Sequence, residues 1–310
     1  MKVFVTGAAG FLGGHVIPTL LRAGHSVVAQ DIVTPDLAYR LTDHLGHLEY
    51  RWESTIDISP KSLAGVDIVI HFATQGDVPL ANSSPRYTFQ LNTDATHSLL
   101  VALRDSKTPV IAMSTENVYG KLPEDRLPAK ETEPTNPTNS YSASKVSMEA
   151  LCHAYSRQYE IPIGIIRSAT LFGERSRPRQ VVPIFVRQAL TNSPITIEGS
   201  GAQTRDLNYV SNMVEAITLA MTKVTSSSGY QVWNVGSGEE VSIRSLVDSI
   251  IRLCGSSSEI INKPQRPGEE GRLCMSIEKA RKELGYVPRV TLEEGLKKTI
   301  SSMRTEMAKG

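Results

Sequence analysis

Tyr141 and Lys145 stand four residues apart in the run Tyr141-Ser142-Ala143-Ser144-Lys145. On a helix that spacing puts one side chain above the other. An ammonium there can stabilise a phenolate and bring the phenol down from its ordinary pKa of about 10 toward neutrality. A phenol so tuned can take the proton of a carbinol while its hydride goes elsewhere, or return it. A bare Tyr-x-x-x-Lys match is more often a solvated helix edge, so the chemistry depends on a hydride carrier elsewhere in the chain.

The N-terminus offers one. Thr6-Gly7-Ala8-Ala9-Gly10-Phe11-Leu12-Gly13 spaces its glycines G-x-x-G-x-x-G between a short apolar run and a helical pattern. Glycine permits the tight turn and lets a diphosphate approach the backbone at the helix's positive end. A turn packed against a sheet also asks for glycine, but the order strand, turn, helix favours a dinucleotide. Asp31 lies eighteen positions beyond Gly13, at the end of the next apolar run. A carboxylate there accepts from a ribose 2′-hydroxyl and repels a 2′-phosphate, which selects NAD over NADP; the alternative is a turn cap. Asp57 and Ile58 fall where adenine would lie. Phe72, Ala73 and Thr74 close another apolar run, where small residues let backbone pass near a cofactor. His71, inside that run, reads as a satisfied core residue.

Such residues need a scaffold to bring them together. Apolar runs at 3–6, 26–31, 48–51, 66–73, 110–114 and 163–168 alternate with helical patterns at 13–23, 87–106 and 141–159. That alternation predicts β-α-β units in a doubly wound parallel sheet, with the site at the carboxyl ends of its strands. The second half is less regular. Prolines 123, 128, 134 and 137 make 122–139 a loop reaching over the site. Residues 173–183 are basic, with Arg175, Arg177 and Arg179 at alternate positions. Helical spacing returns at 182–191, 210–221, 243–253, 277–284 and 292–303. The expected α/β architecture is an NAD-binding Rossmann domain over 1–172 and a smaller, mostly C-terminal α/β substrate region over 173–310, with 207–255 returning to complete the Rossmann domain.

Composition narrows the function. The chain has 310 residues, 40% hydrophobic and 21% charged, with a formal net charge of +1. That balance gives no electrostatic footprint for nucleic acid or a membrane surface. Cys152, Cys254 and Cys274 form no C-x-x-C pair and read as reduced thiols, with no metal site expected. No stretch approaches the ~20 apolar residues of a membrane span, and the N-terminal apolar run is too short for a signal-peptide core. A cytoplasmic protein is the expectation.

With these motifs in place, the chain resembles the extended short-chain dehydrogenase/reductase family, in its nucleotide-sugar epimerase/dehydratase branch. The matching segments are 6–13, 31, 57–58, 71–73, 92, 114–120, 141–145, 167–173, 181–185, 199–210, 233–238, 266–268 and 280–295. The resemblance implies Tyr141 as acid/base, Lys145 on the nicotinamide ribose, and Thr115 on the reacting hydroxyl, with Glu116 beside them. It implies NAD held by Gly7, Gly10, Phe11, Leu12, Gly13, Asp31, Asp57, Ile58, Phe72, Ala73, Thr74 and Asn92, together with Tyr141 and Lys145. Thr115, Asn117, Thr170, Val182, Arg205 and Arg272 would meet a nucleotide-sugar substrate. Helices near 92–104 and 142–157 would pair in a homodimer, although core burial explains their spacing equally well.

Three positions depart from the family's pattern. Sugar 4,6-dehydratases of the branch place an acid and then a glutamate base after the threonine; here Glu116 is followed by Asn117, and a neutral amide cannot abstract a carbon-bound proton. Epimerases usually carry small residues at both positions, and Glu116 has the alternative role of a polar loop cap. Thr170 replaces an asparagine that helps hold the substrate diphosphate. Arg205 and Arg272 match diphosphate-clamping arginines, the alternative for each being a surface ion pair. The expected activity is a 4-epimerase acting on a UDP- or TDP-hexose. A keto-sugar reductase or dehydrogenase comes next, then a 4,6-dehydratase, and a cofactor-binding protein without turnover last.

Overall fold

The computed structural model describes residues 1–264 and 271–308. The family-matched segment 266–268 lies outside the described residues.

Strands β1 (Lys2–Thr6), β2 (Ser26–Asp31), β3 (Glu49–Trp52), β4 (Ile68–His71), β5 (Val110–Thr115) and β6 (Ile163–Ser168) lie parallel in the spatial order 3-2-1-4-5-6. Helix α1 (Gly13–Arg22) leads from β1 to β2. Between β4 and β5 run α2 (Val78–Ser83), α3 (Pro85–Phe89) and α4 (Ala95–Leu103), and α5 (Ser140–Tyr159) joins β5 to β6. The middle of β1, Val3–Val5, is wholly apolar because the sheet is covered on both faces. Alternate residues enter different cores: Val3 and Val5 pack with α1, whereas Phe4 packs with α4 and α5 through Leu99, Leu100, Met148 and Cys152. Register brings the strand ends level, Thr6 with His71 and Thr115 with Ser168.

After β6 come β7 (Thr170–Phe172), α6 (Val181–Leu190), β8 (Ile195–Glu198), β9 (Thr204–Arg205), β10 (Leu207–Tyr209), α7 (Val210–Thr225), β11 (Tyr230–Val235), β12 (Val241–Ser242), α8 (Ile243–Cys254), β13 (Ile260–Lys263), α9 (Glu278–Leu284) and α10 (Leu292–Met307). β11 pairs with β6 as the seventh parallel strand, and most of the buried face of α7 joins the same core as α1. By contrast α6, α8 and α10 build a separate core with β8, through Phe185, Ile195, Leu246, Ile250 and Leu296. The remaining strands form two-stranded ribbons: β7 with β10, β9 with β12, and β8 with β13. The fold is thus a Rossmann-like α/β sheet carrying a smaller C-terminal α/β layer.

The single helix expected over 87–106 is broken. A π-helical turn, Gln90–Asp94, separates α3 from α4. It swings Asn92 inward, where the amide bonds Gln75 and Ser144, a placement that regular helical spacing does not encode. Among the described residues no helix is long and apolar enough to cross a membrane.

Candidate active site

The site lies along the carboxyl ends of the central strands. α5 starts one residue before Tyr141 because Asn139 caps it: its Oδ1 accepts from Ser142 N at 2.9 Å, and Ser142 Oγ accepts from Asn139 N. The cap places Tyr141 in the first turn and Lys145 one turn on. Thr115 ends β5 and stands beside the Tyr141 phenol, close enough to bear on its pKa. These residues line one cavity of ≈ 230 Å³ with Gly7, Gly10, Phe11, Leu12, Glu116, Asn117 and Thr170.

Burial pushes the Tyr141 phenol up, the Thr115 hydroxyl and the Arg177 guanidinium bring it down, and Glu116 adds to the rise. Lys145, expected to pull the phenol down, instead donates to Met113 O at 2.8 Å. Burial lowers the ammonium to about 8. Two neighbours oppose that fall, Cys152 and Glu149. The Cys152 thiol is itself pushed up to about 12 by burial and is uncharged near neutrality, so Glu149 is the counter-charge that matters. Glu149 follows Lys145 by one further turn, so Tyr141, Lys145 and Glu149 share one helix face. Arg167 grips Glu149 through two bonds, Nε to Oε1 at 3.0 Å and Nη2 to Oε2 at 2.7 Å, and Ser114 donates to the same carboxylate. A buried charge is thereby paired and its acceptors are used.

The glycine-rich turn is a cradle that a Cβ would fill. One added at Gly13 would lie 2.1 Å from Ala8 O, and one at Gly7 would lie 2.6 Å from Ala73 N. Asp31 Oδ2 accepts from Ala9 N at 2.8 Å, which ties the end of β2 to the turn. Asp31, Ala73 and Thr74 line a second cavity of ≈ 300 Å³ with Ser54 and Thr55. Gly7, Gly10, Phe72, Thr74 and Arg177 line both cavities, which together make one groove. This groove fits a dinucleotide: a carboxylate at one end, bare backbone in the middle, and the Thr115–Tyr141–Lys145 group at the other.

Other predicted residues take different places. Asp57 ends a 3₁₀ turn, and Ile58 is buried in the core beneath α4. The Asn92 amide accepts from Gln75 N and Thr74 Oγ1 and donates to Gln75 O and Ser144 Oγ, so it fastens the loop after β4 to α5. His71 sits between the hydroxyls of Thr6 and Thr96, and burial takes its pKa down to about 3, so it is neutral. Arg205 lines a third cavity of ≈ 480 Å³ with Thr170, Val181 and Arg179. Val182, next to Val181, is buried in the C-terminal core. Arg272 is exposed and bonds Glu240, with Nη2 2.5 Å from Oε2.

Two departures from the family's pattern meet. Thr170 Oγ1 donates to Glu116 Oε1 at 2.9 Å, with the carboxylate buried. The hydroxyl standing where an asparagine was expected is therefore turned toward the glutamate standing where a small residue was expected.

Comparison with known proteins gives the family. The model of the NAD dependent epimerase/dehydratase family matches residues 3–236. The chain belongs to that family. It is 32% identical to a UDP-glucose 4-epimerase of Mycolicibacterium smegmatis over 318 residues, covering 99% of each chain. A dTDP-D-glucose 4,6-dehydratase of Homo sapiens is 30% identical over 320 residues, covering 98% of this chain and 90% of the relative. The crystal structure of UDP-glucose 4-epimerase with UDP-glucose from Thermotoga maritima matches with a TM-score of 0.92 at 29% identity, over 99% of this chain and 100% of that one.

Within this epimerase/dehydratase scaffold, three participants escaped the sequence reading. Glu149 had a usable signal, one helical turn past Lys145. Arg177 stood out only as one of three alternating arginines with no assigned task. Arg40, which lines the groove beside Asp31, lies in a loop with no periodicity and gave no signal.

Proposed function

We propose that the chain is an NAD-dependent nucleotide-sugar epimerase that inverts C4 of a UDP- or TDP-hexose. One observation carries this reading. The complete Thr115–Tyr141–Lys145 group shares a cavity with Asn117, a neutral amide where elimination of water requires a base. Bound NAD supplies the acceptor for the carbinol hydride and the donor on its return. Tyr141 takes the hydroxyl proton and gives it back, and Thr115 holds the hydroxyl oxygen in line. Lys145, kept charged by Glu149 and held by Met113 O, is assigned to the nicotinamide ribose, while Thr115 and Arg177 favour the anionic phenol. We assign the adenosine to the Asp31 end of the groove and the reacting sugar to the end lined by Thr115 and Tyr141. Arg205 and the cavity it lines are assigned to the nucleotide diphosphate, in the 173–310 substrate region.

A 4,6-dehydratase is the second reading, favoured by Glu116 in the sugar end of the groove, where an acid for a departing hydroxyl belongs. A keto-sugar reductase would use the same three residues and consume cofactor in step with product. We assign a homodimer to the outer faces of α4 and α5, where Val101 is exposed and Leu151, Tyr155 and Tyr159 are half-buried; light scattering is expected to give twice the chain mass. The function is tested by mass spectrometry and NMR on a panel of nucleotide sugars with no cofactor added. Isomer change without mass change is the expected result. Loss of the mass of water would favour the dehydratase, and no change across the panel would contradict an epimerase.

A further inference from the structure

The loop after β2 and the loop after β7 meet beside the glycine-rich turn, and they hold each other through a reciprocal pair of arginines. Arg40 donates to the Arg175 carbonyl through Nε at 3.0 Å and Nη2 at 2.9 Å. Arg175 donates to the Arg40 carbonyl at 3.0 Å, and its other nitrogen reaches Gly14 O at 3.1 Å. His15 Nε2 lies 2.9 Å from Glu174 O, a further tie between α1 and the second loop. Gly14 is required for the contact, since a Cβ there would lie 2.7 Å from Arg40 Cβ. Arg175 holds a left-handed backbone, φ 57°, which a non-glycine residue adopts only when its surroundings impose it. Two residues on, Arg177 enters the groove and lines both of its halves, with Nη1 3.2 Å from where a Gly76 Cβ would stand.

The geometry points to a strap. We infer that residues 173–177 form a strap whose Arg177 reaches across the dinucleotide groove, latched to the loop after β2 by the Arg40–Arg175 clasp, and that opening this clasp gates both entry and exit of the cofactor. The inference rests on NAD occupying the groove and not on which sugar is turned over. Arg177 spans the middle of the groove and so stands in the path by which a dinucleotide enters and leaves. Arg40 and Arg175 are positioning residues that keep Arg177 there.

A strap and a simple contact differ in kinetics. Removing a contact raises the dissociation rate and leaves association almost unchanged. Removing a strap lowers the barrier for both directions, so affinity moves little. Arg175→Gly is the informative variant because glycine accepts the same φ and loses only the Arg175 half of the clasp, its bonds to the Arg40 and Gly14 carbonyls, while the Arg40 bonds to the residue 175 carbonyl can still form. The holoenzyme is mixed with excess isotopically labelled NAD, the exchange of label is timed, and NAD affinity is measured separately. Exchange is expected to speed up about tenfold, one decade for a charge-assisted bond of ordinary strength, with Kd unchanged within about threefold. The double variant Arg40→Ala/Arg175→Gly, which removes both halves of the clasp, is expected to exchange at least as fast as the faster single variant. Should Arg175→Gly fail to fold, Arg175→Lys keeps the charge, loses the fork, and carries the same expectation. Unchanged exchange, or a Kd that rises in proportion to the exchange rate, would overturn the strap. A wild-type protein that binds no NAD would instead contradict the cofactor assignment.

Discussion

The proposed cofactor half and the proposed substrate half of the site are built by different means. In the first, position comes from long parallel ladders: Thr6, His71, Thr115 and Ser168 are brought level by strand register and covered by helices on both faces. In the second, it comes from short ribbons and single side-chain pairs. Arg205 sits on a two-residue strand paired to Val241, Thr170 starts a three-residue one, and Arg272 is held by Glu240. A ladder distributes the cost of any one change over many bonds, whereas a ribbon concentrates it. The cofactor half should therefore fail only where backbone itself is displaced, and the substrate half should retune with single side chains.

The sharpest break is expected at the cradle. Gly13→Ala puts a carbon 2.1 Å from Ala8 O, a clash between backbones that no rotamer relieves. Overpacking of this kind costs about 1–3 kcal/mol of stability or more, and NAD binding is expected to fall by roughly 100-fold, checked by thermal melting and cofactor titration. In the substrate half, Arg205→Ala is expected to raise KM by about tenfold or more with NAD affinity unchanged, since one charged hydrogen-bonding group is lost. A fall in NAD affinity of similar size would erase the division between the halves.

Smaller effects follow from charge. The Lys145 ammonium loses its proton near about 8, so turnover is expected to hold below that pH and fall as pH rises through it. Glu149→Gln removes the negative neighbour that favours the ammonium, so the falling limb is expected to move to lower pH in a pH–kcat profile. Arg272→Ala should matter least. It breaks an exposed ion pair worth at most about 1 kcal/mol, and KM is expected to stay within about threefold.

The same contrast explains what the sequence made legible. The runs that became β1, β2 and β5, the glycines at 7, 10 and 13, and the Tyr141–Lys145 spacing are local patterns whose meaning survives without a fold. The parallel sheet followed from their alternation. Asn92 shows the limit: its placement depends on a π-helical turn, and nothing in apolar spacing announces a change of helical period. The strands β7, β9 and β10 were missed because two or three residues carry no periodicity. The Glu116–Thr170 pair joins residues far apart in the chain, so each was visible only as a separate departure. Arg40 was silent for the same reason, its meaning lying in Arg175, on the far side of the glycine turn.

The central claim is that Tyr141 moves the sugar's proton in a reaction that returns its hydride. It is tested most directly by comparing the wild-type protein with Tyr141→Phe on UDP-glucose and its 4-epimer, without added cofactor. The wild type is expected to interconvert the two with no net change in NAD or NADH, and the variant, which lacks only the phenolic hydroxyl, to turn over about 10³-fold more slowly, as expected on losing a positioned acid/base. Full turnover by Tyr141→Phe, or NADH accumulating in step with product, would contradict it.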